Sequence, residues 1–153
     1  MKKILFVIFL SLLCLLSSCE IKSGESDLLE STANEVIRCF NEDDVDALKL
    51  LFCQNTLNEA VDIEMQIENA FECYDGKSES YDFHYLGFDG CCVDGKWIDK
   101  HSTVKIKNIK TSSEKMYWIT YTEYIIYDND SGRIGIIGMS LRDENLNVIA
   151  EIG

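Results

Sequence analysis

The stretch "IEMQIENAFECYDGKSESYDFHYLGF", Ile63 to Phe88, changes its period in the middle. In the first half the apolar residues Ile63, Ile67, Ala70, Phe71 and Tyr74 recur at intervals of three and four, the spacing of one buried helix face. In the second half Tyr81, Phe83 and Tyr85 alternate with Ser80, Asp82 and His84, the period of a strand. Asp75-Gly76-Lys77 stands at the change: the glycine tolerates a left-handed cap and the lysine suits the negative helix end. Helices are therefore expected before Gly76 and strands after it.

Upstream, the helix that ends at Tyr74 is read from Leu57, with Ala60 on the same side. "NEDDVDALKLLF" (41–52) places acidic caps before Val45, Leu48, Leu51 and Phe52, a second short helix. Ser26 or Asp27 is expected to cap a first helix whose inner side carries Leu29, Ala33, Val36, Ile37 and Phe40. Downstream, "DGCCVDGK" (89–96) reads as a turn-rich loop, "STVKIKNIKT" (102–111) as a strand and "KMYWITYTEYIIYD" (115–128) as a long strand. "DNDSG" (128–132) reads as a hairpin turn into "RIGIIGMSL", and "LNVIAEI" (146–152) as a last strand. Three helices followed by four or five antiparallel strands make one α+β domain over residues 27–153.

The chain opens Met1-Lys2-Lys3, then runs apolar from Ile4 to Leu16 apart from Ser11. Thirteen residues span about 20 Å as a helix, short of the roughly 30 Å hydrocarbon core. A basic start, a short apolar run and small residues describe an export signal over residues 1–18. Leu16-Ser17-Ser18-Cys19 resembles the lipobox of bacterial lipoproteins. That resemblance implies cleavage before Cys19, a lipid on its thiol and a location on the outer face of the bacterial cell membrane. Two acyl chains at one residue make a stable anchor. Residues 19–26 then read as a polar tether.

Removal of residues 1–18 takes away Lys2 and Lys3 and no acid. It leaves 12 basic and 27 acidic side chains, a formal charge of −15. Such a chain is a poor match for nucleic acid, whose affinity comes largely from lysine and arginine on phosphates. It is as poorly suited to a polybasic grip on anionic lipid. Five cysteines follow Cys19, namely Cys39, Cys53, Cys73, Cys91 and Cys92. The odd count precludes a complete disulfide framework. Adjacent Cys91-Cys92 has no histidine within six residues to help complete a tetrahedral metal site. Free thiols, buried or partly buried, are expected, with no metal and no cofactor.

The helix–strand order resembles the nuclear transport factor 2-like (cystatin-like) fold, in which a curved sheet folds round a helix as a cone. More narrowly, "DALKLLF" (46–52), "IEMQIENAFECYDGKSESYD" (63–82) and "IKNIKTSSEKMYWITYTEYIIYD" with "RIGIIGMSL" (106–141) are similar to the bacterial lipoprotein family termed domain of unknown function 5104. Where many cones insert a strand hairpin between helices two and three, only Cys53 to Thr56 stand here. The narrower family implies no catalytic residues.

Relatives of the cone include enzymes with an acid and a base inside it. The candidates here are Glu123 in mid-strand, and Asp82 and His84 on another strand. A carboxylate buried beside Tyr121 and Ile125 would have its charged form disfavoured, as a general base requires. Alternate strand residues point to water, however, and each of the three fits a solvated or hydrogen-bonded position. His101 reads as exposed at a strand start. Glu64, Glu68, Glu72 and Asp75 form an acidic stripe on the third helix, read as a solvated face. Residues 40–76 hold ten acids and one base, and residues 96–115 hold six lysines and two acids. Lys105 and Lys107 read as guards of a sheet edge, or as groups that meet the acidic helices of a second copy. The "DNDSG" turn fails as a calcium loop, because counting from Asp128 glycine comes fifth and the twelfth residue is Met139.

The expectation is a membrane-anchored lipoprotein that binds a protein partner, a second copy or a small ligand in the cone. The competing reading is a small acid–base enzyme using Glu123, Asp82 or His84.

Overall fold

The computed structural model describes residues 23–153; the expected signal segment and Cys19 lie outside the described residues. Among the described residues four helices come first: α1 (Ser23–Glu42), α2 (Val45–Leu50), α3 (Gln54–Glu59) and α4 (Ile63–Glu72). Six strands follow: β1 (Ser78–Tyr85), β2 (Asp89–Val93), β3 (Lys96–Thr111), β4 (Met116–Tyr127), β5 (Gly135–Arg142) and β6 (Val148–Ile152). A 3-10 turn, Ser131–Arg133, precedes β5. The class is α+β, with one antiparallel sheet in the order β1-β3-β4-β5-β6 and β2 paired to the other end of β3.

Apolar spacing explains the helices. Leu29, Ala33, Val36, Ile37 and Phe40 of α1 are all buried, as are Ile63, Ile67, Ala70 and Phe71 of α4. Asp44 caps α2 by accepting a hydrogen bond from the Ala47 amide at 3.1 Å. Together with the inner faces of the strands they form one core, in which Phe40 meets Phe71 and Tyr74 edge-on at 5.0 and 5.2 Å. Gly76, at a φ of 85°, turns the chain from α4 into β1, where a Cβ would lie 2.8 Å from the Ser113 amide nitrogen.

Two features correct the expected helices. α1 already includes Ser23–Ser26, so those residues are helical, and the cap is neither Ser26 nor Asp27. The expected third helix is two helices broken at Ala60–Asp62. Ala60 is extended and Asp62 takes a left-handed φ of 52°. There Cys53 caps α3 through its sulfur, and Thr56 Oγ1 donates to the Ile137 carbonyl at 3.1 Å. These contacts hold α3 to β5 in a direction of its own.

The strands also exceed the expectation. Asp94 and Gly95 have φ of 50° and 78°, which a two-residue hairpin requires, so "DGCCV" is a strand and not a loop. β3 is 16 residues long and lies between β4 on one side and β1 and β2 on the other. Lys105 and Lys107 therefore guard no edge; they face His84 and Asp82 across the β1 pairing. Register shifts between Lys100 and His101 and between Ile106 and Ile109 bend the long hairpin, the second with Asn108 at a φ of 52°.

Candidate functional site

Strand parity decides what each candidate can do. On β3 the residues Lys100, Ser102, Val104 and Ile106 are buried under the helices, and on β4 so are Tyr117, Ile119, Tyr121 and Glu123. Ser102 pairs directly with Glu123, and Val104 with Tyr121, so these side chains share the inner face. Glu123 is 7% exposed. Its Oε1 accepts a hydrogen bond from Thr32 Oγ1 of α1 at 3.1 Å, and its buried Oε2 has no partner. Burial pushes the carboxyl up to about 7, and the Thr32 hydrogen bond draws it partly back. The Tyr121 hydroxyl is likewise buried and unpartnered, and burial, then the Glu123 charge, push its phenol up.

Beside them, Lys100 is 5% exposed. Its Nζ pairs with Glu25 of α1 and lies 4.3 Å from the Phe88 ring centroid and 5.1 Å from that of Trp97. Ser102 Oγ donates to the Gly87 carbonyl at 2.7 Å. The far end of the β3–β4 pair thus carries a buried polar cluster that the first half of α1 closes.

Asp82 and His84 take no part in it. His84 pairs with Lys105 and Asp82 with Lys107, whereas their neighbours Phe83 and Tyr85 pair with inner-face Ile106 and Val104. Both candidates therefore stand on the opposite face of the sheet from Glu123. Both are exposed, and Asp82 accepts a hydrogen bond from Asn108 at 2.7 Å. His101 is not an exposed strand start. It lies within β3 on that outer face, its ring 4.6 Å from Tyr124, with a buried Nδ1 that lacks a hydrogen-bond partner.

Lys100, Ser102, Thr32 and Glu25 are the cluster residues that sequence reasoning missed. For two of them a signal existed: Lys100 and Ser102 are in phase with Val104 and Ile106. Thr32 lies one helical turn from Leu29, but nothing in the sequence pairs it with Glu123.

Cys39, Cys53, Cys73, Cys91 and Cys92 are all free thiols. Cys39 and Cys53 are buried, and Cys91 and Cys92 are exposed on β2. Burial pushes the Cys39 thiol up to about 11. Among the described residues no three His, Cys, Asp or Glu side chains cluster as a metal site, and no helix is long and apolar enough to cross a membrane.

A second region is open to solvent. Two hollows, of about 430 and 480 Å³, lie on the α4 side that carries the acidic stripe, and Glu68 lines both. The first runs from α3 to Lys49 of α2, and the second reaches Asp43, Phe71 and Tyr74.

No curated protein is matched by the chain. The family model described as a domain of unknown function, DUF5104, matches residues 35–144, well over half of the sequence. Its span includes Lys100, Ser102, Tyr121 and Glu123 but not Glu25 or Thr32. The chain belongs to this family, the domains of unknown function DUF5104.

Proposed function

We propose that the protein is a lipid-anchored binding module, held through Cys19 to the outer face of the bacterial cell membrane. Its α+β domain is of the nuclear transport factor 2-like type and performs no catalysis. The observation that carries this reading is that, among the described residues, Glu123 has no carboxyl or histidine partner on its face. It is the one buried carboxylate among the described residues; its hydrogen bond goes to Thr32, a group that cannot act as acid or base near neutral pH. The other two catalytic candidates stand across the sheet from it. The inner face around it is covered by Leu29, Ala33 and Val36 of α1, which belong to the same buried cluster as Val104, Ile106 and Ile119. Such an interior supplies stability, and recognition then falls to the surface.

The acid–base enzyme reading draws on the same residue, since a carboxyl near 7 suits a general base. The ionisable groups that share its face do not complete the chemistry: Lys100 is paired with Glu25, and burial pushes the Tyr121 phenol up.

The test has two parts. Cells that make the wild-type chain should incorporate labelled palmitate into a membrane-bound form open to added protease, and Cys19→Ala should lose the label. Label retained by Cys19→Ala, or a wild-type chain without label, contradicts the anchor. Turnover of any chromogenic ester, glycoside or phosphate by wild type that Glu123→Gln abolishes contradicts the non-catalytic assignment.

A further inference from the structure

Large apolar side chains are unevenly exposed in this protein. Leu50, Val61 and Met65, on or between α2 and α4, are 83, 78 and 60% exposed, and among the other described residues Leu86, at 61%, is as exposed as Met65. An exposed apolar side chain that also lines a hollow marks a place where something else packs. Met65 lines the first hollow beside α4, along with Leu57, Ala60 and Ile63; Val45 and Phe71 line the second. Glu68 lines both, so the two hollows adjoin on α4 and together are taken as a groove. The ten residues of α4 beside it span about 15 Å.

The net charge of the lining is negative. Asp62, Glu64 and Glu68 edge the first hollow, and Asp43, Glu68 and Glu72 the second. The single base of residues 40–76, Lys49, is already paired with Glu64. Leu57, Ala60, Ile63 and Met65 in the first hollow, with Val45 and Phe71 in the second, call for an apolar face, and the acidic residues between them call for cations on either side of it.

We infer that this groove docks a cationic amphipathic helical segment of another protein, with leucine-like residues on the floor and lysine or arginine against the rim. Recognition of an amphipathic helix in an apolar groove is a recurrent mode, with anchors at three-and-four spacing. The inference rests on the binding-module reading and specifies its partner. A second copy fits less well: its lysines lie on a strand face, and two mature chains of formal charge −15 repel.

The probe is a fluorescent synthetic peptide of about 12 leucine and lysine residues at helical spacing, long enough to span the groove. Its binding to the full chain in detergent is read by anisotropy. A scrambled peptide of equal composition serves as control. Wild type should bind the amphipathic peptide and not the scrambled one, and binding should weaken as added salt shortens the screening length. Glu68→Lys, on an exposed position in the middle of the groove, should lower affinity by about tenfold. Met65→Asp should lower it by at least as much, and Lys105→Glu, on the outer sheet face, should leave it unchanged. Equal binding of both peptides, or no loss in either groove variant, overturns the proposal. So does self-association that Lys105→Glu abolishes, because the groove would then serve a second copy. If wild type ignores the peptide yet carries the lipid label, the groove proposal falls and the anchored-module reading stands. If it binds the peptide but carries no label, the reverse holds.

Discussion

At the turn end of the β3–β4 pair the inner row reads Ile106, Ile109, Tyr117 and Ile119, and at the far end the same row reads Ser102, Lys100 and Glu123. The same helix reaches both: Phe40 of α1 packs edge-on against Tyr74, which meets Tyr117 at the first, and Thr32 and Glu25 bind Glu123 and Lys100 at the second. The apolar end gains stability from area removed from water, which does not depend on pH near neutrality. The polar end holds a carboxyl that water would solvate better, and its contribution follows the proton. A buried, perturbed carboxylate is therefore evidence of an active site only when an uncommitted group of matching chemistry shares its face; here Lys100 is paired with Glu25 and burial pushes the Tyr121 phenol up.

The largest effect should come from the apolar end. Phe40→Ala removes the ring that Phe71 and Tyr74 both contact, and should cost about 3–5 kcal/mol in urea unfolding at any pH. A loss of less than about 1 kcal/mol would mean that the helix–sheet packing tolerates a void there.

The polar end should instead respond to acid. The folded-state pKa of Glu123, about 7, is above its ordinary 4.5, so the folded chain keeps a proton that the unfolded chain releases between them. Its stabilising contribution is complete below pH 4.5, falls as pH rises through 7 and is flat above. The total change is about 3 kcal/mol. Glu123→Gln should remove this slope and be more stable than wild type above pH 7. Wild-type stability that rises with pH across this window would break the comparison.

Thiol reactivity separates the buried face of α1 from the sheet periphery. Cys91 and Cys92, exposed on β2, should be alkylated first in the folded protein, and Cys39, buried with its thiol pushed up to about 11, last. Peptide mass mapping after brief alkylation reads the order. Early labelling of Cys39 would show that α1 opens more readily than its packing implies.

The smallest effect is expected on the outer face. Asp82→Asn and His84→Ala, both at exposed positions, should each change stability by less than about 0.5 kcal/mol. A larger loss would give that face a role that the pairing with Lys107 and Lys105 does not.

Sequence reading recovered what periodicity encodes. The stripes of α1 and α4 and the alternation of β4 were legible because one face of each is buried; Glu123, expected at a solvated or hydrogen-bonded position, is buried in phase with Ile119 and Tyr121. β2 was hidden because all five of its residues are exposed and carry no alternation. The break between α3 and α4 was hidden for the opposite reason. Ala60 and Ile63 keep the helical spacing across it, and only contacts of α3 with β5 redirect the chain. Lys105 and Lys107 were misplaced because edge protection depends on strand order, which lies in long-range pairing. The polar cluster joins residues up to 91 positions apart, beyond any local pattern.

The central claim is that recognition takes place on the helical groove and that the buried carboxylate is structural. Amide chemical shifts of the isotope-labelled full chain in detergent, titrated with the amphipathic leucine–lysine peptide, test both halves at once. The account predicts shifts concentrated at Glu64, Met65, Glu68 and Glu72, with Tyr121 and Glu123 unmoved. Shifts concentrated at Tyr121, Glu123 and Ser102, with the groove silent, would contradict it.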